Sequence, residues 1–272
     1  MAQSLFSLEG KTAIVTGGTG VLGTEMVLAL AAAKAQVGVL GRREEQAEAV
    51  VQQVLDQGGQ AVALPADVLQ TESLERAKET MLDAFGTIDI LVNAAGGNQP
   101  GATIGPDQTI FDLQIPDLQK VVDLNLMGTI YPTQVFGRTM AEQQRGVVVN
   151  ISSMAAYQAI TRVMGYSVAK TAVEGYTRWL AVEMAQKFGE GIRVNAIAPG
   201  FFLADQNRRL LTHEDGSLTE RGQQIIDNTP FGRFGEPDEL AGTLIWLCSD
   251  ASRFVTGISV PVDGGFSCYS GV

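Results

Sequence analysis

Short apolar runs alternate along the chain with longer segments whose apolar residues recur at helical spacing. Seven of the short runs predict strands, in the order KTAIVTG, QVGVLG, AVALPAD, IDILVNAAGG, GVVVNISS, IRVNAIAPG and SVPVDGG. Most of these runs are continuously apolar and do not alternate with polar residues. That pattern is expected when helices cover both faces of a parallel sheet.

The longer segments predict helices, with Thr71 as an N-cap and Gly86 as a helix stop. They run from Val21 to Ala35, over REEQAEAVVQQVLDQGG, over TESLERAKETMLDAFG, from about Asp117 to Gln143, from about Gly165 to Phe188, and over EPDELAGTLIWLCSD. The alternation predicts the α/β class: one doubly wound Rossmann-type domain over residues 1–272, with a mostly parallel sheet and helices on both faces.

Two segments interrupt the alternation, at residues 96–116 and 201–230. Each follows the carboxyl end of a predicted strand, which is where open α/β sheets bind their ligands. We therefore expect both segments to be substrate loops.

Composition narrows the range of functions. The net charge of −11 repels phosphate backbones, so the sequence predicts no nucleic-acid partner. The two cysteines, Cys248 and Cys268, form no CxxC motif, and the one histidine, His213, lies in a polar stretch, so no metal site is expected. Neither a signal peptide nor a membrane-length apolar run occurs in the sequence, which predicts a cytoplasmic protein without a membrane partner.

The stretch IVTGGTGVLGT, from Ile14 to Thr24, links the first strand to the first helix. Its glycines fit both Gly18-x-Gly20-x-x-Gly23 and Gly17-x-x-Gly20-x-x-Gly23. A P-loop would need Lys after Gly23, and Thr24 stands there, so ATP or GTP hydrolysis is disfavoured. Backbone N–H groups and the helix N-terminus can instead hold a pyrophosphate. The alternative is a glycine-rich turn without a ligand.

The second strand ends in VLGRR, with Gly41 where a carboxylate would bind the adenosine ribose. Arg42 and Arg43 follow, and a guanidinium can bind a 2′-phosphate with two parallel hydrogen bonds. The sequence thus predicts NADP(H) as the preferred cofactor, with NAD(H) possible. The alternative is that the arginines only face water.

The stretch NISSMAAYQAITRVMGYSVAK combines Ser153 with Tyr166 and Lys170. The tyrosine and the lysine are four residues apart and share one helix face. Together with the glycine loop, Asp67, the NAAG segment from Asn93 to Gly96, DLNL, Pro199–Gly200 and VDGG, these residues make the chain resemble the short-chain dehydrogenase/reductases over nearly its whole length.

The resemblance implies a catalytic set of Asn125, Ser153, Tyr166 and Lys170. Tyr166 would protonate the substrate carbonyl oxygen, and Lys170 would lower the phenol pKa from about 10 and bind the nicotinamide ribose. Ser153 would hold the substrate oxygen, and Asn125 would anchor a relay water. The alternative for Asn125 is a helix asparagine bonded to neighbouring backbone.

Cofactor binding is predicted for a larger set, which includes Asp67 at the adenine. The set is Gly17, Thr19, Gly20, Val21, Leu22, Arg42, Arg43, Asp67, Val68, Asn93, Ala94, Gly96, Tyr166, Lys170, Pro199, Gly200 and Phe202. Two positions depart from the family pattern. Val21 stands where the loop TGxxxGxG has glycine, and Ala204 stands where a threonine often meets the carboxamide. We expect Gly17 to form the turn, Gly20 to lie nearest the pyrophosphate, and Gly23 to pack against the helix.

Amides and arginines in the loops favour an anionic or polyhydroxylated small-molecule substrate, such as a sugar acid. The candidate substrate residues are Asn98, Gln99, Gln158, Arg162 and Asn207. Within this family, the motifs GGNQPGAT, QNRRLL and TPFGRFGEPDEL resemble the D-mannonate oxidoreductases (fructuronate reductases), with gluconate 5-dehydrogenases as close relatives. Two alternatives are the reductase of another carbonyl, such as a 3-oxoacyl group, and a regulator that binds nucleotide without turnover.

The resemblance also implies a homotetramer. The helices that begin near Asp117 and Gly165 carry wide apolar faces with Tyr176, Trp179 and Leu180, and the equivalent helices of relatives pack across a dimer. The alternative is that these side chains only face the sheet.

Overall fold

A computed structural model describes residues 5–203, 208 and 210–271. Its seven strands form one parallel sheet in the order β3-β2-β1-β4-β5-β6-β7. The strands are β1 (Thr12–Thr16), β2 (Gln36–Gly41), β3 (Gln60–Pro65), β4 (Ile90–Asn93), β5 (Gly146–Ile151), β6 (Ile192–Pro199) and β7 (Ser259–Val262). The predicted doubly wound Rossmann-type fold is confirmed.

Eight α-helices lie within the described residues. They are α1 (Val21–Ala32), α2 (Glu44–Asp56), α3 (Thr71–Phe85), α4 (Ile115–Val122), α5 (Gly128–Gln143), α6 (Met164–Phe188), α7 (Glu220–Asp227) and α8 (Ala241–Cys248). None of the helices described is long and apolar enough to cross a membrane.

Helices pack on both faces of the sheet, and β1 shows how. Its five residues are all buried. Ala13 and Val15 contact the apolar cluster under α1, α2 and α8, whereas Ile14 between them contacts the cluster under α3, α5 and α6. Successive strand residues point to opposite faces, so burial on both faces requires a continuous apolar run.

Some predicted helix boundaries are wrong. Thr71 is the first residue of α3 and not its cap, because the N-cap is Gln70 and carries no side-chain cap bond. Gly86 does end that helix, in the left-handed conformation at φ +78°. The first helix ends at Ala32 and not at Ala35, and Lys34 takes φ +78° beyond it. In EPDELAG the α-helix begins only at Ala241, after a 3₁₀ turn.

The predicted helix from Asp117 to Gln143 is also divided. Helix α4 passes into a π-helical turn over Asp123–Met127, and α5 begins after it at Gly128. A π turn adds one residue to the helical repeat and so redirects the side chains inside it. Here the redirected residue is Asn125, which is fully buried.

The sheet order changes direction between β1 and β4, which lie side by side although two strands separate them in sequence. Thr16 of β1 stands level with Leu40 of β2 on one side and with Asn93 of β4 on the other. Loops leaving neighbouring strands in opposite directions open a crevice at the carboxyl edge, and ligands of such sheets bind there.

Candidate active site

The glycine loop after β1 is compact. Gly17 takes φ +65°, and a Cβ atom on it would lie 2.8 Å from the Ala95 Cα. A Cβ on Gly23 would lie 2.1 Å from the Gly17 carbonyl oxygen, so the start of α1 lies against the loop. The geometry matches the expected turn at Gly17 and close packing at Gly23.

Gly20 is the exposed N-cap of α1 and provides no side-chain cap, and the first turn holds no acidic residue. The first N–H groups of a helix have no partner within the helix and attract anions. A pyrophosphate therefore fits this end, where Thr19, Val21 and Leu22 flank Gly20. Their contact with a cofactor stays a prediction.

At the end of β2, a Cβ on Gly41 would meet the Thr19 side chain at 2.9 Å. Arg42 and Arg43 beyond it are exposed. At the end of β3, Asp67 Oδ1 accepts a hydrogen bond from the Leu69 N–H at 2.9 Å, and the carboxylate is partly exposed. These groups surround the outer end of the crevice.

The loop after β4 is held by Thr16, a buried residue that sequence analysis did not single out. Thr16 Oγ1 accepts the N–H groups of Ala94 and Ala95, both at 3.1 Å. Asn93 Nδ2 donates to Asn150 Oδ1 and to Thr133 Oγ1, both at 2.9 Å. The Asn93 side chain is thus in the sheet centre. In the sequence, the sign of this bonding is a polar residue inside an apolar strand, because a buried polar side chain needs hydrogen-bond partners.

Ser153 follows β5 and caps the short turn that begins at Met154, with its Oγ accepting the Ala155 N–H at 3.1 Å. Helix α6 begins at Met164 and carries Tyr166 and Lys170. The Ser153 hydroxyl is hydrogen-bonded to the Tyr166 phenol. Lys170 is 4% exposed, and its Nζ donates to the Ile151 carbonyl at 2.7 Å and lies 5.5 Å from the Tyr166 ring centroid.

The pKa of Tyr166 differs from the expectation. Burial raises the phenol pKa, and the hydrogen bond from Ser153 offsets only part of that rise. Burial also lowers the pKa of Lys170 to about 8. Lys170 was expected to lower the pKa of Tyr166. In the chain by itself, desolvation of the phenol has the larger effect, and the pKa is raised. Both groups are mainly protonated at neutral pH.

Asn125 lies in the π turn and reaches the loop after β4. Its Nδ2 donates to the carbonyls of Gly97 at 2.7 Å and Val121 at 2.8 Å, and its Oδ1 accepts the Gly97 N–H at 3.2 Å. A Cβ on Gly96 would lie 2.7 Å from Asn125 Oδ1 and 3.3 Å from Lys170 Nζ. Only a glycine lets these two side chains approach the same stretch of backbone.

The structure brings some of the candidate substrate residues together and leaves others apart. Asn98 Nδ2 donates to Thr103 Oγ1 at 2.9 Å, and Gln99 lies in the same loop with its carbonyl accepting from that hydroxyl. Gln158 Nε2 donates to the Ser267 carbonyl at 2.9 Å, which joins the loop after β5 to the C-terminal segment. Asn207 and Ala204 lie outside the described residues.

Arg162 connects the loops after β4 and β5. Its Nε donates to the Ile104 carbonyl at 2.6 Å, and its own carbonyl accepts the Ile104 N–H at 2.9 Å. A residue that sequence analysis missed lies beside it: Arg221 of α7 donates to Thr161 Oγ1 at 3.0 Å and to the Thr161 carbonyl at 3.2 Å. No motif contains Arg221, so the sequence carried no signal for it.

The end of β6 packs against the segment that follows β7, near the C-terminus. Gly200, next to Pro199, donates its N–H to the Val262 carbonyl at 2.9 Å, and a Cβ there would lie 2.7 Å from the Asp263 Cα. Phe202 is 5% exposed and packs into the apolar core, where its ring lies against Gly235. Its predicted contact with the nicotinamide stays a prediction.

Comparison with known proteins finds relatives that match nearly the whole chain. A family described as enoyl-(acyl carrier protein) reductase, within the short-chain dehydrogenases, matches residues 19–267. The uncharacterized oxidoreductase UxuB of Bacillus subtilis is 46% identical over 98% of both chains.

Two solved structures share the fold. One, from Haemophilus influenzae, provisionally assigned as a D-mannonate oxidoreductase with bound NAD, has a TM-score of 0.92 and 41% identity over 100% of both chains. The other is a gluconate 5-dehydrogenase from Burkholderia cenocepacia in complex with NADP and tartrate, with a TM-score of 0.87 and 30% identity over 98% of this chain and 99% of that one. The present chain is an oxidoreductase that acts on CH–OH groups, and it belongs to the short-chain dehydrogenase/reductase family.

Proposed function

We propose that this protein interconverts a ketone and a secondary alcohol on a sugar acid, with D-fructuronate and D-mannonate as the pair. The observation that carries the reaction type is the hydrogen bond between Ser153 and Tyr166, with the buried Lys170 Nζ 5.5 Å from the Tyr166 ring centroid. The sugar-acid assignment is supported by the polar loops around that pair and by the relatives that are named for mannonate or gluconate or hold tartrate.

The proposed roles follow from the geometry of reduction. Tyr166 donates its proton to the oxygen that forms on the substrate carbonyl, and the Ser153 hydroxyl holds that oxygen against the phenol. Lys170, protonated below about pH 8, favours the phenolate that remains. Asn125 holds the loop at Gly97 and aligns it with Lys170. Hydride comes from the nicotinamide when the cofactor is bound.

We propose NADP(H) as the preferred cofactor. Arg42 and Arg43 are exposed beside Gly41, and Gly41 stands where a carboxylate would repel a 2′-phosphate. NADPH is then expected to give the higher kcat/KM. Replacement of both arginines by Ala should lower the NADPH value about tenfold or more and leave the NADH value nearly unchanged. A preference of the wild type for NADH would contradict this assignment, and the NAD in the Haemophilus relative makes that comparison necessary.

The experiment that tests the substrate is a panel of sugar acids, keto acids and 3-oxoacyl thioesters with NADPH and NADH, read at the nicotinamide absorbance. We expect the highest kcat/KM for a hexuronate ketone such as D-fructuronate. A higher value for a 3-oxoacyl thioester would replace the sugar-acid assignment with the acyl one. Tight cofactor binding without turnover of any compound would instead favour a regulator.

We also propose that the protein is a cytoplasmic homotetramer. The support is an exposed apolar strip on α6, formed by Val168, Trp179 and Val182, which are 55%, 62% and 56% exposed. Leu180 beside the strip is 6% exposed and packs under the sheet, so only part of the apolar face is left for a neighbour.

A further inference from the structure

Arg162 is held in a backbone conformation that arginine rarely adopts. Its φ is +76°, in the left-handed region that favours glycine. The two hydrogen bonds with Ile104 keep it there. Strained backbone at non-glycine residues clusters at ligand sites, where the surrounding structure holds a side chain in a needed position.

Arg221 approaches the same place from a third loop. It lies in the first turn of α7, and both of its terminal nitrogens donate to Thr161, the neighbour of Arg162. Burial lowers the pKa of Arg221, and the charge of the nearby Arg162 guanidinium lowers it further. Two positive charges are thus held together by bonds to neutral groups.

Bonds to the described residues leave N–H groups of both guanidiniums unused. A guanidinium has five N–H donors, and the bonds within the described part of the chain use one on Arg162 and two on Arg221. Within residues 5–203, 208 and 210–271, no carboxylate lies within 4.0 Å of either side chain, whereas Arg233 and Glu239 form a close ion pair elsewhere. A pair of cations with unused donors matches the two oxygens of a carboxylate.

The position of the pair fits a substrate contact. Arg162 is four residues before Tyr166, and the three loops that hold the pair follow β4, β5 and β6 at the carboxyl edge of the sheet. We propose that Arg162 and Arg221 together bind the carboxylate of the substrate and so select acids over neutral sugars. This inference rests on the proposed sugar-acid reaction and adds the residues that would recognise the acid.

The test compares an acid with its neutral counterpart, D-fructuronate with D-fructose, in the wild type and in Arg162→Gln and Arg221→Gln. Each variant should raise the KM for fructuronate about 10- to 100-fold, with a smaller change in kcat, and leave the kinetics of fructose nearly unchanged. Arg221→Lys should recover part of the loss because it keeps the charge. Arg253→Gln, an exposed arginine elsewhere, is the matched control and should behave as the wild type.

Arg162→Gly separates recognition from folding. Glycine adopts a φ of +76° without strain, so this variant should fold as well as the wild type and still lose affinity for the acid. The proposal is overturned if the glutamine variants keep the wild-type KM for fructuronate, or if they lose fructose equally.

A second measurement distinguishes failure of this inference from failure of the proposed reaction. D-tartrate is titrated calorimetrically into the NADP⁺-loaded wild type and variants. If the wild type reduces no sugar acid but tartrate binding weakens about tenfold or more in the glutamine variants and not in Arg253→Gln, the reaction assignment fails and the carboxylate site stands. If fructuronate is reduced but neither arginine affects acid binding, the reaction stands and the site fails. Absence of tartrate and D-mannonate binding by the wild type also overturns the site.

Discussion

Tyr166 must carry a proton at neutral pH to act as an acid, and burial favours that state because it raises the phenol pKa. We expect Tyr166→Phe to lower kcat for carbonyl reduction by about 10²- to 10⁴-fold while cofactor affinity changes little. The matched control is Tyr176→Phe. Tyr176 lies on the same helix, and burial likewise raises its pKa, to about 12, but it bonds to Thr133. Steady-state kinetics and cofactor titration check both variants, and near-normal turnover of Tyr166→Phe would remove the acid role.

Lys170 should set the alkaline limit of reduction. Its pKa is lowered to about 8 by burial, whereas the pKa of Tyr166 is raised, so the lysine is the first of the two to lose its proton as the pH rises. We expect kcat for reduction, at saturating cofactor, to fall above about pH 8. Alcohol oxidation, which must accept a proton, should rise over the same range. A reduction profile that stays flat to about pH 10 would contradict this assignment.

At the scale of elements, the junction of β1 and α1 gives a paired prediction. A Cβ on Gly23 would collide with the Gly17 carbonyl, so Gly23→Ala should separate α1 from the loop and lower both the melting temperature and the cofactor affinity. A Cβ on Gly20 would lie no closer than 3.4 Å to that carbonyl, and its φ of −84° suits alanine. Gly20→Ala should therefore keep the melting temperature and weaken only cofactor binding.

The control for this pair is Gly242→Ala, at an exposed position of α8 where a Cβ would meet nothing within 4 Å. It should keep both the melting temperature and the cofactor affinity, since alanine is favoured over glycine in a helix. Thermal unfolding followed by circular dichroism and cofactor titration measure all three variants. Equal loss of stability in Gly20→Ala and Gly23→Ala would show that the loop does not pack as described.

Local pattern predicts the strands and most helices but not the division between α4 and α5. The apolar spacing from about Asp117 to Gln143 predicts one helix because a π turn adds a single residue and leaves no composition signal. In the structure, Asn125 of the π turn donates a hydrogen bond to the Gly97 carbonyl, and Gly97 lies 28 positions earlier in the sequence. A contact between distant segments cannot be derived from periodicity within one of them.

For the same reason, the catalytic motif can be predicted from the sequence and the arginine pair cannot. Tyr166 and Lys170 are four residues apart, and that spacing predicts that they share one helix face, whereas the family resemblance adds Ser153 to them. Arg221 of α7 donates to Thr161, beside Arg162, across 60 positions of sequence, and no local pattern predicts that contact. The pKa direction at Tyr166 failed for another reason: desolvation depends on packing, which residue identities alone do not give.

At the scale of the whole molecule, the exposed strip of Val168, Trp179 and Val182 on α6 bears on assembly. Apolar side chains grouped on a helix of a protein with net charge −11 are unfavourable in water unless a neighbour covers them. Self-association by a twofold axis would pair the strip with its own copy. That contact alone makes a dimer, and two such dimers make the proposed homotetramer, which should have a mass in solution of about four times 28.9 kDa.

Substitution in the strip should break this assembly. Trp179→Arg places a charge at the centre of the strip, and desolvating an unpaired guanidinium in an apolar interface is strongly unfavourable. We expect light scattering coupled to gel filtration to show a smaller species than the wild type. Gln53→Arg, which adds the same charge at an exposed position of α2, should leave the mass unchanged. A wild type that runs as a monomer, or a Trp179→Arg variant that keeps the full mass, would show that the strip is not the contact.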